Sequence, residues 1–451
     1  MSNKTDKWID EHRSEIIEQL RAVVRIPSLE GPAVEAAPGK PSPGPGMPPT
    51  PPTPPSPFGV NVRKAEDYVL KISKQMGFDA NDHDGYYATV DQGNDSDKET
   101  LGIVAHLDVV PEGTGWEYPA YSSDMIGDTI YGRGTVDDKG PGIAALFALK
   151  SVVDSGYKFK RNVRIIYGLN EETNMKCLEK YVEDKEPFDI GFTPDGTYPV
   201  CNSEFNIVHA AFKKEFKSNI TFKCGEAANI VPALAIASAN GKEYKTKGIQ
   251  THGSTPWEGE NAAQNMIKLL YAEKFEGEDG AVLEVLNKYL GEGYYGKEFG
   301  IDFEDETGKQ TLNLGIVNWD ENGFTIVLDM RCPTANSIEK IKVNLENAFK
   351  ECGAEMAFWN CSNGYYLSEE SEVVQTLMKV YQNRTGDTTS KPFSMGGGTY
   401  ARHLPNCVSF GPEGWLDVCS CHIPNEHITK QQLIENTKMI ADAIIALACE
   451  E

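Results

Sequence analysis

The sequence predicts an α/β protein, a mostly parallel sheet covered by helices, with an α+β domain inserted into it. Three observations carry that expectation. Before residue 206, short apolar runs rich in β-branched residues alternate with amphipathic helical patterns. Between 206 and 360 the texture changes to longer alternating strands and a few helices. From 361 onward the first texture returns. The expected division is therefore 1–205 plus 361–451 for one domain and 206–360 for the insert.

The elements follow in order. Ile9, Ile16, Ile17, Leu20, Val23 and Val24 have the spacing of one helix over 6–24, which Pro27 stops. Residues 38–57 hold eleven prolines in twenty positions, a composition that favours the polyproline II conformation and predicts a surface loop or spacer. Val62, Ala65, Val69, Ile72 and Met76 predict a second helix closed by Gly77. Strands are expected at 99–106, 161–172 and 189–195, with helices at 141–156 and 173–184 between and after them. In the insert, NIVHAAFKKEFKSNITFKCG and GFTIVLDMRCP read as antiparallel strands, and NAAQNMIKLLYAEKF and SIEKIKVNLENAFKECG as helices. Helices at 371–385 and 429–449 close the chain.

Composition narrows the function. The 451 residues carry 43 basic and 67 acidic side chains, a net charge of −24 that phosphate backbones would repel, so nucleic acid is not an expected partner. No apolar run approaches the ~18 residues of a membrane span, and MSNKTDKWIDEHRSE lacks the apolar stretch of a signal peptide. The expected location is the cytoplasm. Ten cysteines scattered through a chain of this size read as reduced, mostly buried thiols rather than a disulfide framework.

Chemistry is expected where parallel strands deliver their carboxyl ends. The strand ending at His106 continues as H-L-D. Residues two apart share a side of a strand, so Asp108 is expected to reach the His106 ring and hold its tautomer. On its own, H-x-D fits a structural histidine better than a ligand. GRGTVDDKGPG places Asp137 and Asp138 before a helix, as caps or as a carboxylate bridging two cations. N-E-E puts Glu171 and Glu172 at a strand end, where neighbours point opposite ways, so that one can ligate metal while the other works on water. Asp195 ends the next strand in T-P-D-G, and His422 lies in SCHIPNE. Cys419 and Cys421 beside it have no second cysteine pair at zinc-finger spacing and read as bystanders. Together, His106, His422, Asp137, Glu172 and Asp195 are two imidazoles and three carboxylates. That donor set suits zinc, cobalt or manganese in a two-metal hydrolase.

The motifs AHLDVVP, GRGTVDDKGP, NEE, PDG, NIVP, THGSTP and H-x-x-N-E, in this order, resemble those of the dinuclear-zinc aminoacylase and carboxypeptidase family. Acetylornithine deacetylase and succinyl-diaminopimelate desuccinylase belong to it. Within the family the undivided chain, PFG before the second helix, and FKKEF are most similar to the PepV-type dipeptidases. The resemblance implies a zinc-peptidase-like catalytic domain with 206–360 as its lid. It implies that His106 and Asp195 hold one zinc, that Glu172 and His422 hold the other, and that Asp137 bridges. Asp108 would orient His106, and Glu171 would be the general base. Asp138 follows the bridging residue at a peptide that the family often holds in the cis form. From the lid, His252 would donate to the oxyanion, while Asn229 and Arg331 would grip the substrate carboxylate. Gly396, Gly397 and Gly398 match a loop whose backbone approaches the substrate. The implied reaction is hydrolysis of dipeptides with a free N-terminus, in a chain that supplies its own His252 and works as a monomer. Two readings compete with it: an N-acyl-amino-acid deacylase and a non-catalytic metal- or peptide-binding relative.

Overall fold

The computed structural model describes residues 3–31, 56–184 and 188–450. The proline-rich spacer expected at 38–57 lies outside the described residues except for Ser56 and Pro57. Contacts divide the chain into two compact units. One comprises Met1–Asn202, Leu367–Phe393 and Thr399–Glu451, and the other Ser203–Tyr366 with Ser394–Gly398.

The first unit is built on a sheet in which six successive strands lie in the order Asp79–His83, Tyr87–Gln92, Asn162–Gly168, Thr100–His106, Ile190–Thr193 and Cys407–Ser409. Its centre is parallel, as expected. Thr100–His106 runs alongside Asn162–Gly168 and Ile190–Thr193, and Cys407–Ser409 runs alongside Ile190–Thr193. Antiparallel pairing is confined to the flanks. Leu101, Ile103, Val104 and Ala105 are all fully buried, the unbroken apolar run of a strand covered on both faces. The helix Lys139–Asp154 is apolar nearly all round, which places it inside the unit rather than on its surface. It packs on the strand Thr100–His106 and against the helices Lys430–Ala448, Arg13–Val24 and Asn3–Glu11.

Three local expectations change. The single helix over 6–24 is two, Asn3–Glu11 and Arg13–Val24, broken at His12, whose ring stacks on Trp8 at 3.7 Å. The strand expected to reach 172 stops at Gly168, and the one expected to reach 195 stops at Thr193. A side chain at Gly168 would collide with the Tyr400 hydroxyl, 1.9 Å from where its Cβ would lie, so only glycine fits this strand end. Beyond it the chain turns, and Met175 donates its N–H to Asn170 O at 2.8 Å. Glu171 and Glu172 therefore sit in a turn, and strand alternation is not what separates their side chains.

The second unit is a seven-stranded antiparallel sheet. Its order is Lys242–Lys247, Leu234–Ala239, Ile220–Cys224, Thr311–Asp320, Gly323–Cys332, Asn206–Glu215 and Glu355–Ser362. Alternate residues such as Val208, Ala210 and Phe212, or Phe324, Ile326, Leu328 and Met330, form one apolar face. Side chains of Ala262–Ala272, Gly277–Leu290 and Ile338–Lys350 share its core. In Thr311–Asp320 the buried positions switch parity, from Leu312 and Leu314 to Val317 and Trp319. A bulge between Leu314 and Ile316 makes the switch and keeps both halves facing inward.

Candidate metal centre and catalytic site

The first unit brings together seven of the predicted residues, and most of them follow a parallel strand. His106 is the last residue of its strand and is 1% exposed. Its Nδ1 lies 3.0 Å from the backbone O of Asp108 and 3.6 Å from that residue's carboxylate, so the carbonyl, not the carboxylate, makes the hydrogen bond. Its Nε2 faces Asp137 Oδ1 at 2.9 Å and Asp195 Oδ2 at 3.8 Å. The Asp108 carboxylate has different partners. Its Oδ1 accepts the Glu171 N–H at 3.0 Å and its Oδ2 the Glu172 N–H at 3.1 Å. It thus pins the turn that carries both glutamates.

Asp137 precedes the buried helix Lys139–Asp154, and its peptide with Asp138 is cis. Asp138 Oδ2 accepts the His106 N–H at 3.0 Å and ties this loop to the strand end. On the far side of Asp137, Oδ2 lies 2.9 Å from His422 Nε2. The same nitrogen lies 3.1 Å from Glu172 Oε2. His422 reaches this position with a φ of +63°, a conformation a residue with a Cβ seldom adopts. Asp195 follows Thr193, whose hydroxyl accepts its N–H at 3.2 Å. His106, Asp137 and Glu172 form one group whose donor atoms lie within 4.8 Å of one another, and His106, Glu171 and Asp195 form a second.

Sequence reasoning passed over Glu426, the last residue of H-x-x-N-E. It is fully buried, and its Oε1 accepts N–H groups from Gly134, Val136 and Asp137 at 3.0–3.3 Å. Its Oε2 pairs with Arg133 Nη1 at 2.6 Å. One carboxylate thereby shapes the loop that presents Asp137. The motif marks the residue, but only the fold shows what it binds.

The electrostatics suit a cation. Burial is the main influence on Glu171, Glu172 and Asp195 and raises all three carboxyls, Glu171 and Asp195 well above the ordinary range. For Asp137 burial acts the same way, but hydrogen bonding to His106 and His422 outweighs it and holds the group low. Hydrogen bonding to Asp137, then to Glu172, raises His422 to about 11. Glu171 Oε1 is buried with no hydrogen-bond partner among the described residues. Crowded, buried carboxylates with an orphaned oxygen are a site that positive charge would relieve, and the two imidazoles complete a donor set that divalent ions accept.

The remaining predicted residues gather in the second unit. His252 is exposed, its Nδ1 2.6 Å from Ser254 Oγ, and the next residue, Gly253, donates its N–H to Asn229 O at 2.7 Å. Arg331 is buried, with Nη2 donating to both oxygens of Asp329 at 3.0 and 3.2 Å and Nε unpartnered among the described residues. Gly396 belongs to the Ser394–Gly398 segment of this unit and lies against the Ser254 side chain, 2.6 Å from where its Cβ would be. Gly397 and Gly398 follow it.

A strand-end site with this donor set defines a class. Residues 102–446 match peptidase family M20/M25/M40, and the chain belongs to that family. A protein of Staphylococcus aureus provisionally named a dipeptidase is 32% identical over 436 residues, covering 88% of this chain and 92% of the relative. Among solved structures, human carnosine dipeptidase 1 is similar at a TM-score of 0.59 and 15% identity, covering 98% of both chains. A dinuclear metal binding peptidase of the M20 family from Bacillus subtilis is similar at 0.54 and 11%, covering 97% of this chain and 99% of its own. Among the described residues, no helix is long and apolar enough to cross a membrane.

Proposed function

We propose that the protein is a dinuclear metallopeptidase that hydrolyses dipeptides with a free N-terminus. The observation that carries this reading is Asp137, whose two oxygens each lie 2.9 Å from a different imidazole, His106 on one side and His422 on the other. One carboxylate between two nitrogen donors is what a bridging ligand requires. In this reading His106 and Asp195 hold one ion and Glu172 and His422 the other. Zinc fits the donors best, with cobalt or manganese as alternatives. When bound, the ions would polarise the scissile carbonyl and acidify a water.

The rest falls to the chain. Glu171 takes a proton from that water on its carboxylate and delivers it to the leaving amine. A buried carboxyl with a raised affinity for protons suits both halves of that transfer. Asp108 holds Glu171 and Glu172 in place through their amides, and Glu426 does the same for the Asp137 loop. Arg331, with its fork fixed by Asp329, and Asn229 hold the substrate carboxylate, and the Gly396–Gly398 backbone lies along the substrate. His252 donates to the developing oxyanion. The name of the S. aureus relative supports the dipeptide class, and the description of the B. subtilis protein supports two ions.

The test is a hydrolysis panel of dipeptides beside acetyl- and succinyl-amino acids, run after exhaustive chelation and after return of zinc, cobalt or manganese. Dipeptide cleavage that chelation abolishes and metal restores is the expected result. Turnover confined to the acylated amino acids would make the protein a deacylase instead. Metal binding with no turnover of any substrate would make it a binding relative.

A further inference from the structure

A cluster of donor side chains lies outside the five proposed ligands. Cys419 Sγ, Cys421 Sγ and a carboxylate oxygen of Glu413 all lie within 4.8 Å of one another. We propose that these three residues form a third cation site, for a soft or borderline divalent ion such as zinc or cadmium. The sequence reading set the two cysteines aside because no second cysteine pair accompanies them. The fold supplies a different third donor, a carboxylate from an earlier turn of the same loop.

Hydrogen bonds fix the loop that carries these donors. Ser420, between the cysteines, is 2% exposed, and its Oγ donates to His427 O and accepts from His427 N, both at 3.1 Å. With Ser420 turned inward, the sulfurs of its two neighbours lie within 4.8 Å of each other. Glu413 is fixed through its backbone. Its N–H donates to Gly196 O at 2.9 Å, and its carbonyl accepts from the Thr197 hydroxyl. These contacts fix the backbone that carries the donors, which lowers the cost of ordering them around an ion.

The carboxylate decides between the two chemistries open to a C-x-C pair. It has no part in a disulfide, and it is a ligand for a cation. Two sulfurs and one carboxylate oxygen, with a fourth position left for water, match the tetrahedral preference of zinc and of softer ions that favour thiolate. Cys419 is exposed, so an ion can enter from solvent.

The test is equilibrium dialysis of the full chain against Cd²⁺ with metal analysis and near-ultraviolet absorption. The wild type is compared with the double variant Cys419→Ser, Cys421→Ser and with Glu413→Gln. The wild type is expected to hold one equivalent more than the double variant and to gain a sulfur-to-cadmium charge-transfer band that the double variant lacks. Glu413→Gln should keep the band with affinity weakened about tenfold or more. Equal metal content in wild type and double variant would overturn the proposal. So would a wild type without the band, a measurement that does not depend on any variant folding. Failure of the two-ion reading would change the metal content of wild type and double variant alike and leave their difference intact, so the two outcomes are distinguishable.

Discussion

At the scale of single residues, neighbouring side chains with the same chemistry receive different work from their surroundings. Glu172 lies against His422, whereas Glu171 keeps a buried oxygen with no partner among the described residues. If Glu171 is the base, Glu171→Ala should retain both metals and lose about 10²–10⁴-fold in turnover. Metal analysis beside kcat checks this, and loss of one ion would exchange the roles of the two glutamates. In the proposed reading Asp108 is a positioning residue, because its carboxylate binds the backbone amides of Glu171 and Glu172. Asp108→Ala should therefore disturb both glutamates together, lowering metal affinity and kcat by about 10–100-fold each. An effect on only one of them would place Asp108 with His106 alone.

At the scale of elements, the site depends on where strands stop and what the buried helix carries. The expected strands ran too long because apolar pattern continues past the last ladder bond, through Leu169 in one case. Gly168 and Tyr400 end that strand, a contact between distant parts of the chain. The hairpin Leu234–Ala239 and Lys242–Lys247 was not expected either, although its Asn240-Gly241 turn, with both φ values positive, is a signal the sequence contains. The helix Lys139–Asp154 presents Asp137 from a buried seat, so its packing is a matter of function as well as stability. Leu146 is fully buried within it. Leu146→Ala should cost about 2–5 kcal/mol, read as a lower urea midpoint with an unchanged slope. A shift below about 0.5 kcal/mol would show that the helix repacks freely.

At the scale of the whole molecule, the five proposed ligands belong to one unit and His252, Asn229, Arg331 and Gly396–Gly398 to the other. If each chain supplies its own His252, a monomer is competent. His252→Ala should then lose about 10²–10³-fold in kcat while remaining folded and metal-loaded. Mixing His252→Ala with Glu171→Ala separates the alternatives. The mixture stays inactive if histidines act within their own chain, and activity returns if they cross between chains.

The sequence by itself determined the α/β class and the order of its parallel strands along the chain, and it offered His106, Asp137, Glu172, Asp195 and His422 as donors. These follow from residue type and short-range periodicity, which survive in one dimension. Tertiary structure alone decided which groups hold those donors. The Asp108 carboxylate reaches amides 63 and 64 positions away, and Glu426 reaches the Asp137 loop across about 290. Glu413 meets two cysteines that their own spacing had set aside. A hydrogen bond or ligand group between segments this far apart depends on the packing of the strands and helices that carry them, and no local pattern encodes it.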